Sequence, residues 1–281
     1  MLTFSGITLN WFFMPHIALN GASIHYQLRG EGAETIVFAH GLLLSERIFS
    51  QQVAALQQHY RCVTFDFRGH GETAAARSGY DVETLYADTV GVIQELKASP
   101  CHFVGLSLGG IIGLHIALRR PELLRSLVLF STTADAETNY NKKLYRFLAL
   151  VVCLFGLRLA AGGVMPVMFG RTFLDDAARA DLQRQWRQQL IANRRLGVVH
   201  AVNALIRRQP IYEQIHQITT PTLIAVGEED PAATKGEANR IHSQIKGSVL
   251  VRIPQAGHVF TVEVPETVNR LLEGFFSKGC L

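Results

Sequence analysis

Ser107 lies in the run FVGLSLGGI at 103–111, with Gly105 two residues before it and Gly109 two residues after. The run follows strand-like residues and precedes IIGLHIALRRPE, which reads as a helix, so the G-x-S-x-G pentapeptide sits on a strand-to-helix turn. A serine held on so tight a turn takes unfavourable backbone angles, and only residues without Cβ can flank it closely. The turn exposes the hydroxyl and aims the helix's positive end and free N–H groups at whatever reacts there. Such a hydroxyl becomes a nucleophile only when a base removes its proton, so a histidine and an acid must be found. Of the eleven histidines, His258 follows a late strand-like run, SVLVRIP, and Asp230 follows an earlier one, TLIAV, in GEED at 227–230. The chain order Ser, Asp, His suits the acid as orienter and His258 as base, with Glu228, Glu229 and Asp135 as alternatives for the acid. An oxyanion formed by attack at a carbonyl needs two preorganised donors: the Leu108 N–H, next to the nucleophile, and the Leu42 N–H after the run TIVFAHG.

Other polar residues fit structural roles. His40 reads as a turn residue that fixes its loop by hydrogen bonding, and Asp66, Arg68 and His70 in DFRGHG as residues that hold a loop below the site. His115, two helical turns beyond Ser107, reads as packed or on the surface. No H-E-x-x-H or comparable cluster is present, so neither a metal nor a cofactor is expected.

The elements that must position these residues alternate. HIAL and SIHYQL, joined by Asn20-Gly21, form a hairpin. TIVFAHG, RCVTFDFRG and CHFVGLS are apolar throughout, as strands buried on both faces of a parallel sheet are, and helical patterns at 46–58 and 81–97 separate them. The alternation predicts an α/β, mostly parallel, doubly wound sheet. After SLVLFS at 126–131 the rhythm stops until PTLIAVGEED at 221–230; a helix near 234–245, the strand SVLVRIP and a helix from beyond Pro265 to about Phe276 follow. The expected organisation is an N-terminal extension at 1–14, a core at 15–133 and 213–281, and a helical cap at 134–212. In the cap Leu182, Trp186 and Leu190 recur on a helix that Gly197 can end, and Val198, Val202 and Leu205 repeat the pattern.

Hydrophobic residues make up 48% of the chain and charged residues 18%, which suits a compact fold with a sizeable core. A net charge of +4 without a run of five like charges gives no reason to expect nucleic acid. Cys62, Cys101, Cys153 and Cys280 show neither CxxC spacing nor the density of a disulfide scaffold, and reduced thiols in a cytoplasm are expected. The apolar opening MLTFSGITLNWFF is followed by no Arg or Lys before Arg29, unlike a secretory signal, so no export is expected; Met14 is an alternative start.

His40-Gly41, DFRGHGET, GLSLGG, GEED and Gly257-His258 together resemble the α/β-hydrolase superfamily over nearly the whole chain. The resemblance implies the α/β-hydrolase fold with a helical cap, and a serine rather than the nucleophilic aspartate of dehalogenases and epoxide hydrolases. HGLLLSERIF, the segment RRQPIYEQIHQITTPTLIAVGEEDPAAT and the single cap look similar to the 3-oxoadipate enol-lactonase-like esterases. One departure is the apolar run FLALVVCLFGLRLAAGGVMPVMF at 147–169, which counts against that lactonase's small dicarboxylate substrate. It is long enough to span a membrane, but Arg158, paired glycines and Pro166 in its interior favour a cap helix. The cap carries twelve Lys and Arg against five Asp and Glu, while the rest of the chain carries fifteen against eighteen. An apolar, basic cap suits an acyl or aryl substrate, with or without an anionic group, or a weak contact with an anionic membrane surface; equally it suits a basic, solvated outer face over an apolar inner one. The expected activity is a cofactor-independent serine hydrolase of carboxylic esters or lactones. Thioester hydrolysis, C–C bond hydrolysis, perhydrolysis and a non-enzymatic small-molecule receptor remain as alternatives on the same fold.

Overall fold

In the computed structural model, residues 15–277 are described; the expected extension at 1–14 lies outside the described residues, as does Cys280. The chain opens with β1 (His16–Leu19) and β2 (Ala22–Arg29). Asn20 and Gly21 between them have φ of 45° and 76°, the left-handed pair that a two-residue hairpin turn demands. Six more strands follow: β3 (Thr35–Ala39), β4 (Arg61–Phe65), β5 (Cys101–Leu106), β6 (Leu124–Phe130), β7 (Thr222–Gly227) and β8 (Val249–Ile253). They form one sheet in the order β1-β2-β4-β3-β5-β6-β7-β8, antiparallel at β1-β2-β4 and parallel from β4 onward. This is the predicted mostly parallel α/β sheet.

The continuous apolar runs have a simple cause. Alternate residues of one strand point to opposite faces, and helices cover both faces. Ile36 and Phe38 of β3 join one core and Val37 and Ala39 the other. The first core is closed by α1 (Ser50–Leu56) and, at the end of the chain, by the final helix Pro265–Ser277. The second is closed by α2 (Val82–Glu95) and α3 (Leu108–Arg119), together with the helix Lys235–Gln244.

Between β6 and β7 the chain forms α4 (Asn139–Phe155), α5 (Leu157–Met168), α6 (Arg171–Asp175), α7 (Ala180–Ala192) and α8 (Arg195–Leu205). After β7 come α9 (Lys235–Gln244), α10 (Phe260–Glu263) and α11 (Pro265–Ser277). The apolar run at 147–169 is not one helix: Gly156, at φ 82°, breaks it into α4 and α5. Among the described residues no helix is long and apolar enough to cross a membrane. The inner residues of this insertion, Val152, Leu157, Trp186, Leu190 and Val198 among them, are continuous with the first core.

Gly197 corrects the sequence reading. It does not end the helix that carries Trp186; α7 stops at Ala192, where the Asn193 side chain turns back to the carbonyls of Gln189 and Leu190. Gly197 lies within α8, and a Cβ there would stand 2.5 Å from the Gly69 carbonyl oxygen. Its lack of a side chain serves a close approach between helix and loop rather than a helix end.

Candidate functional site

The order of strands reverses around β3 and β5, and the loops leaving their carboxyl ends meet, the usual place for a ligand in an open α/β sheet. Ser107, between β5 and α3, has φ 54° and ψ −110°, a conformation that costs a residue with Cβ on the order of 1–3 kcal/mol. The surroundings impose it. The Ser107 N–H donates to the Phe130 carbonyl at 2.8 Å, and its own carbonyl accepts from the Ile111 N–H at 3.0 Å and the Thr132 hydroxyl at 2.7 Å. A Cβ on Gly105 would lie 2.3 Å from the Gly109 oxygen, and one on Gly109 would lie 2.1 Å from the Ala39 oxygen. Both glycines are therefore steric requirements of the turn.

His258 and Asp230 stand on the loops after β8 and β7. His258 Nδ1 is 2.9 Å from Asp230 Oδ2, both side chains being buried. Asp230 Oδ1 in turn accepts from the N–H groups of Ala232 and Ala233, at 2.7 and 3.0 Å. Burial works against charge on either group, but the partner outweighs it in each case. Asp230 is held below the ordinary carboxylate range by the charge and hydrogen bond of His258, and His258 is held above the ordinary histidine value by Asp230. The other acids weighed for this place are elsewhere: Asp135 pairs with Arg240, Glu229 binds Thr172, and Glu228 is exposed.

Leu42 and Leu108 are brought together by a bond between their loops, Gly109 N–H to the His40 carbonyl at 3.1 Å. Leu108 is the first residue of α3, where backbone N–H groups have no partner within the helix. His40 is fully buried; its Nδ1 meets the Gly41 carbonyl at 2.7 Å and its Nε2 accepts from the Phe67 N–H at 3.0 Å. This is a loop-fixing imidazole in its neutral form. Asp66 accepts from the N–H groups of Glu46 and Glu72 and meets His25 Nδ1 at 3.2 Å, while Arg68 grips Asp88 through two nitrogens at 2.8 Å. His70 is buried against the Arg68 carbonyl, and burial pushes its pKa down to about 3. None of these groups lines the cavity above Ser107. His115, half-buried on α3, also lies outside it.

That cavity has a volume of about 150 Å³ and includes Ser107, His258 and Leu42 in its walls. Its roof is the insertion: Tyr145, Leu148 and Val152 of α4, Val164 of α5, and Val198 and Val202 of α8. The wall also carries a charged pair, Arg208 Nη1 to Glu137 at 2.8 Å, beside the hydroxyls of Ser131, Thr132 and Thr133. Arg208 also donates to the carbonyls of Asp135 and Leu205, so its charge is committed to the wall. Among the described residues no group of His, Cys, Asp or Glu is arranged to hold a metal ion.

The family described as the alpha/beta hydrolase family matches residues 36–271. The chain belongs to the α/β hydrolase family. A 3-oxoadipate enol-lactonase of Acinetobacter baylyi is 28% identical over 260 residues, covering 91% of this chain and 93% of that one. The enol-lactonase from Burkholderia xenovorans LB400 superposes with a TM-score of 0.87 at 26% identity, over 94% of this chain and 100% of the other. A thermophilic esterase from Thermogutta terrifontis has a TM-score of 0.88 at 22% identity, over 95% and 100%, and shares the fold.

In this α/β hydrolase the histidine loop is tied to the insertion by a residue that sequence reasoning missed. Glu263, buried at the end of α10, accepts from the N–H groups of Gly257 at 2.9 Å and Gly170 at 3.1 Å through one oxygen. Its other oxygen has no hydrogen-bond partner among the described residues. Glu229 makes a parallel tie, accepting from the N–H and hydroxyl of Thr172 at 2.8 and 2.6 Å. The available signal for Glu263 was a lone acid inside the apolar run VFTVEVP.

Burial, with the nearby charges of Asp230 and Glu229, raises the Glu263 carboxyl from the ordinary 4.5 to about 7, despite its two N–H donors. Between those two values the folded protein keeps a proton that the unfolded chain has released, so stability falls as pH rises from 4.5 to 7 and stays lower above. The loss is on the order of 3 kcal/mol. Urea denaturation of wild type and Glu263→Gln across that range is expected to show this decline in the wild type and its absence in the variant; parallel curves would refute it.

Proposed function

We propose that the protein is a serine hydrolase of carboxylic esters or lactones that works through an acyl-enzyme. Ser107 Oγ attacks the carbonyl carbon while its proton passes to His258 Nε2, and the oxyanion is received by the N–H groups of Leu42 and Leu108. Collapse re-forms the carbonyl and breaks the bond from the acyl carbon to the alkoxy oxygen, and the leaving alkoxide takes the proton from His258. Water then attacks the acyl carbon, gives a proton to His258, and Ser107 leaves with that proton restored. The insertion acts as a cap that chooses the acyl group and limits water.

The observation that carries this reading is the meeting of Ser107 and the Asp230-bonded His258 in one apolar cavity. The committed charge of Arg208 leaves walls suited to an uncharged alkyl or aryl acyl group rather than a small dicarboxylate. A panel of p-nitrophenyl esters and lactones tests this. kcat/KM is expected to rise roughly fourfold per added methylene until the cavity is filled, as each buried methylene is worth about 0.8 kcal/mol. A fluorophosphonate probe is expected to label Ser107. A folded protein that neither turns over any ester nor takes the probe would overturn the reading in favour of a ligand receptor on the same fold.

A further inference from the structure

α4 is apolar on two faces. One, with Tyr145, Leu148 and Val152, roofs the cavity above Ser107. The other faces solvent: Tyr140 is 76% exposed, Phe147 62% and Leu154 59%, with Leu150 exposed beside them and Leu144, which also reaches the cavity, at the border of the two faces. The spacing of Tyr140, Leu144, Phe147 and Leu154 puts them in one stripe along the helix. Past the break at Gly156 the surface continues with Leu159 of α5, 66% exposed. Leu196 of α8 is brought to the same end, because Arg195 Nη1 donates to the Cys153 carbonyl at 3.1 Å. An apolar stripe of this size left in water is unusual for a chain that acts alone in solution.

The charge around the stripe says what covers it. Residues 138–174 contain five Lys and Arg and not one Asp or Glu. Lys143, Arg146 and Arg158 are exposed, and none of them is paired with a carboxylate among the described residues. A second copy placed face to face would set these cations against each other, whereas a bilayer with anionic headgroups answers both the charge and the apolar side chains.

We propose that the outer face of α4, with Leu159 and Leu196, docks on an anionic lipid bilayer and lies in its interface. The helix is then both the membrane contact and the roof of the cavity. Resting on the hydrolase reading, this assigns the substrate to esters whose acyl chain partitions into the bilayer, received beneath α4 from the lipid side.

The test is sedimentation of the full chain with vesicles of phosphatidylcholine, with or without about one-third phosphatidylglycerol, at low salt. Wild type is expected to bind the anionic vesicles at least about tenfold more tightly than the neutral ones. Lys143→Glu with Arg146→Glu should weaken that binding, by about fivefold for each cation lost. Phe147→Ser with Leu154→Ser should weaken it at least about tenfold. Neither pair lines the cavity, so turnover of a short soluble ester should stay at the wild-type level in both. Wild type that ignores anionic vesicles, or variants that bind like wild type, would overturn the proposal. So would a dimeric wild type made monomeric by Phe147→Ser with Leu154→Ser, since a second copy would then be the occupant. Vesicle binding by a protein inactive on every ester would uphold the docking surface and defeat the hydrolase reading alone.

Discussion

Ser107→Ala is expected to lower kcat/KM by about 10⁴- to 10⁶-fold on whichever ester the wild type turns over best, and to abolish fluorophosphonate labelling. The expectation rests on one atom: among the described residues that line the cavity, Ser107 is the hydroxyl presented on a strained turn at the start of a helix. His258→Ala should cost nearly as much, and the double variant little more than either, because nucleophile and base act as a unit. Stability should move differently. Alanine keeps a Cβ in a conformation at φ 54° and ψ −110° that disfavours one, whereas glycine tolerates it. Ser107→Gly is therefore expected to be at least as stable as Ser107→Ala, despite glycine's entropic disadvantage of about 0.5–1 kcal/mol. Thermal melts of the two folded, inactive variants check this. A Ser107→Ala protein retaining more than a hundredth of the activity would remove Ser107 as the nucleophile.

Why some of this site could be read from the chain, and some not, follows from range. Ser107, Gly105 and Gly109 are legible because a tight turn constrains neighbours within two residues, and the acid and histidine because parallel strands deliver their loops to one edge of the sheet. Which acid meets His258 was open among four; the hydrogen bond at 2.9 Å joins it to Asp230, 28 residues away. Glu263 was missed because its partner Gly170 is 93 residues distant, and nothing local distinguishes a buried acid from a solvated one. The pair of Glu137 and Arg208 spans 71 residues and was missed for the same reason. Gly197 was misread because a glycine in a helical pattern serves equally as a stop or as a close contact, and only the Gly69 backbone beside it decides. The insertion's charge was legible, but its placement was not: the outer face of α4 is apolar as well as basic, which the solvated basic face, one of the two readings weighed, does not describe.

Asp230→Asn is expected to lower kcat/KM by about 10⁴-fold while leaving the fold intact. The Asp230 side chain accepts on both oxygens, from Ala232 and Ala233 on one and from His258 on the other. An asparagine has a single acceptor oxygen. If that oxygen keeps the two backbone donors, the amide NH₂ faces His258 Nδ1 and forces the tautomer whose proton sits on Nε2, where the Ser107 proton must go. The pH profile separates this from a merely structural loss. In the wild type Asp230 raises the His258 pKa above 6.5, so kcat/KM should climb with pH through a midpoint above 6.5 as the base becomes neutral. Without that carboxylate, burial lowers the imidazole's pKa against only the more distant charges of Glu263 and Glu237, so the acid limb should move to lower pH. The stability cost should have its own window. The pair contributes where Asp230 is ionised, with its pKa held below 3.8, and where His258 is charged. The contribution is complete between about pH 4 and 6.5, is lost as pH falls through the lowered carboxyl value, and is lost as pH rises through the raised imidazole value. Denaturation of wild type and variant should therefore differ most in mildly acidic buffer and least at alkaline pH. A loss of activity below tenfold, or an acid limb unmoved from the wild-type midpoint, would take Asp230 out of its place beside the base.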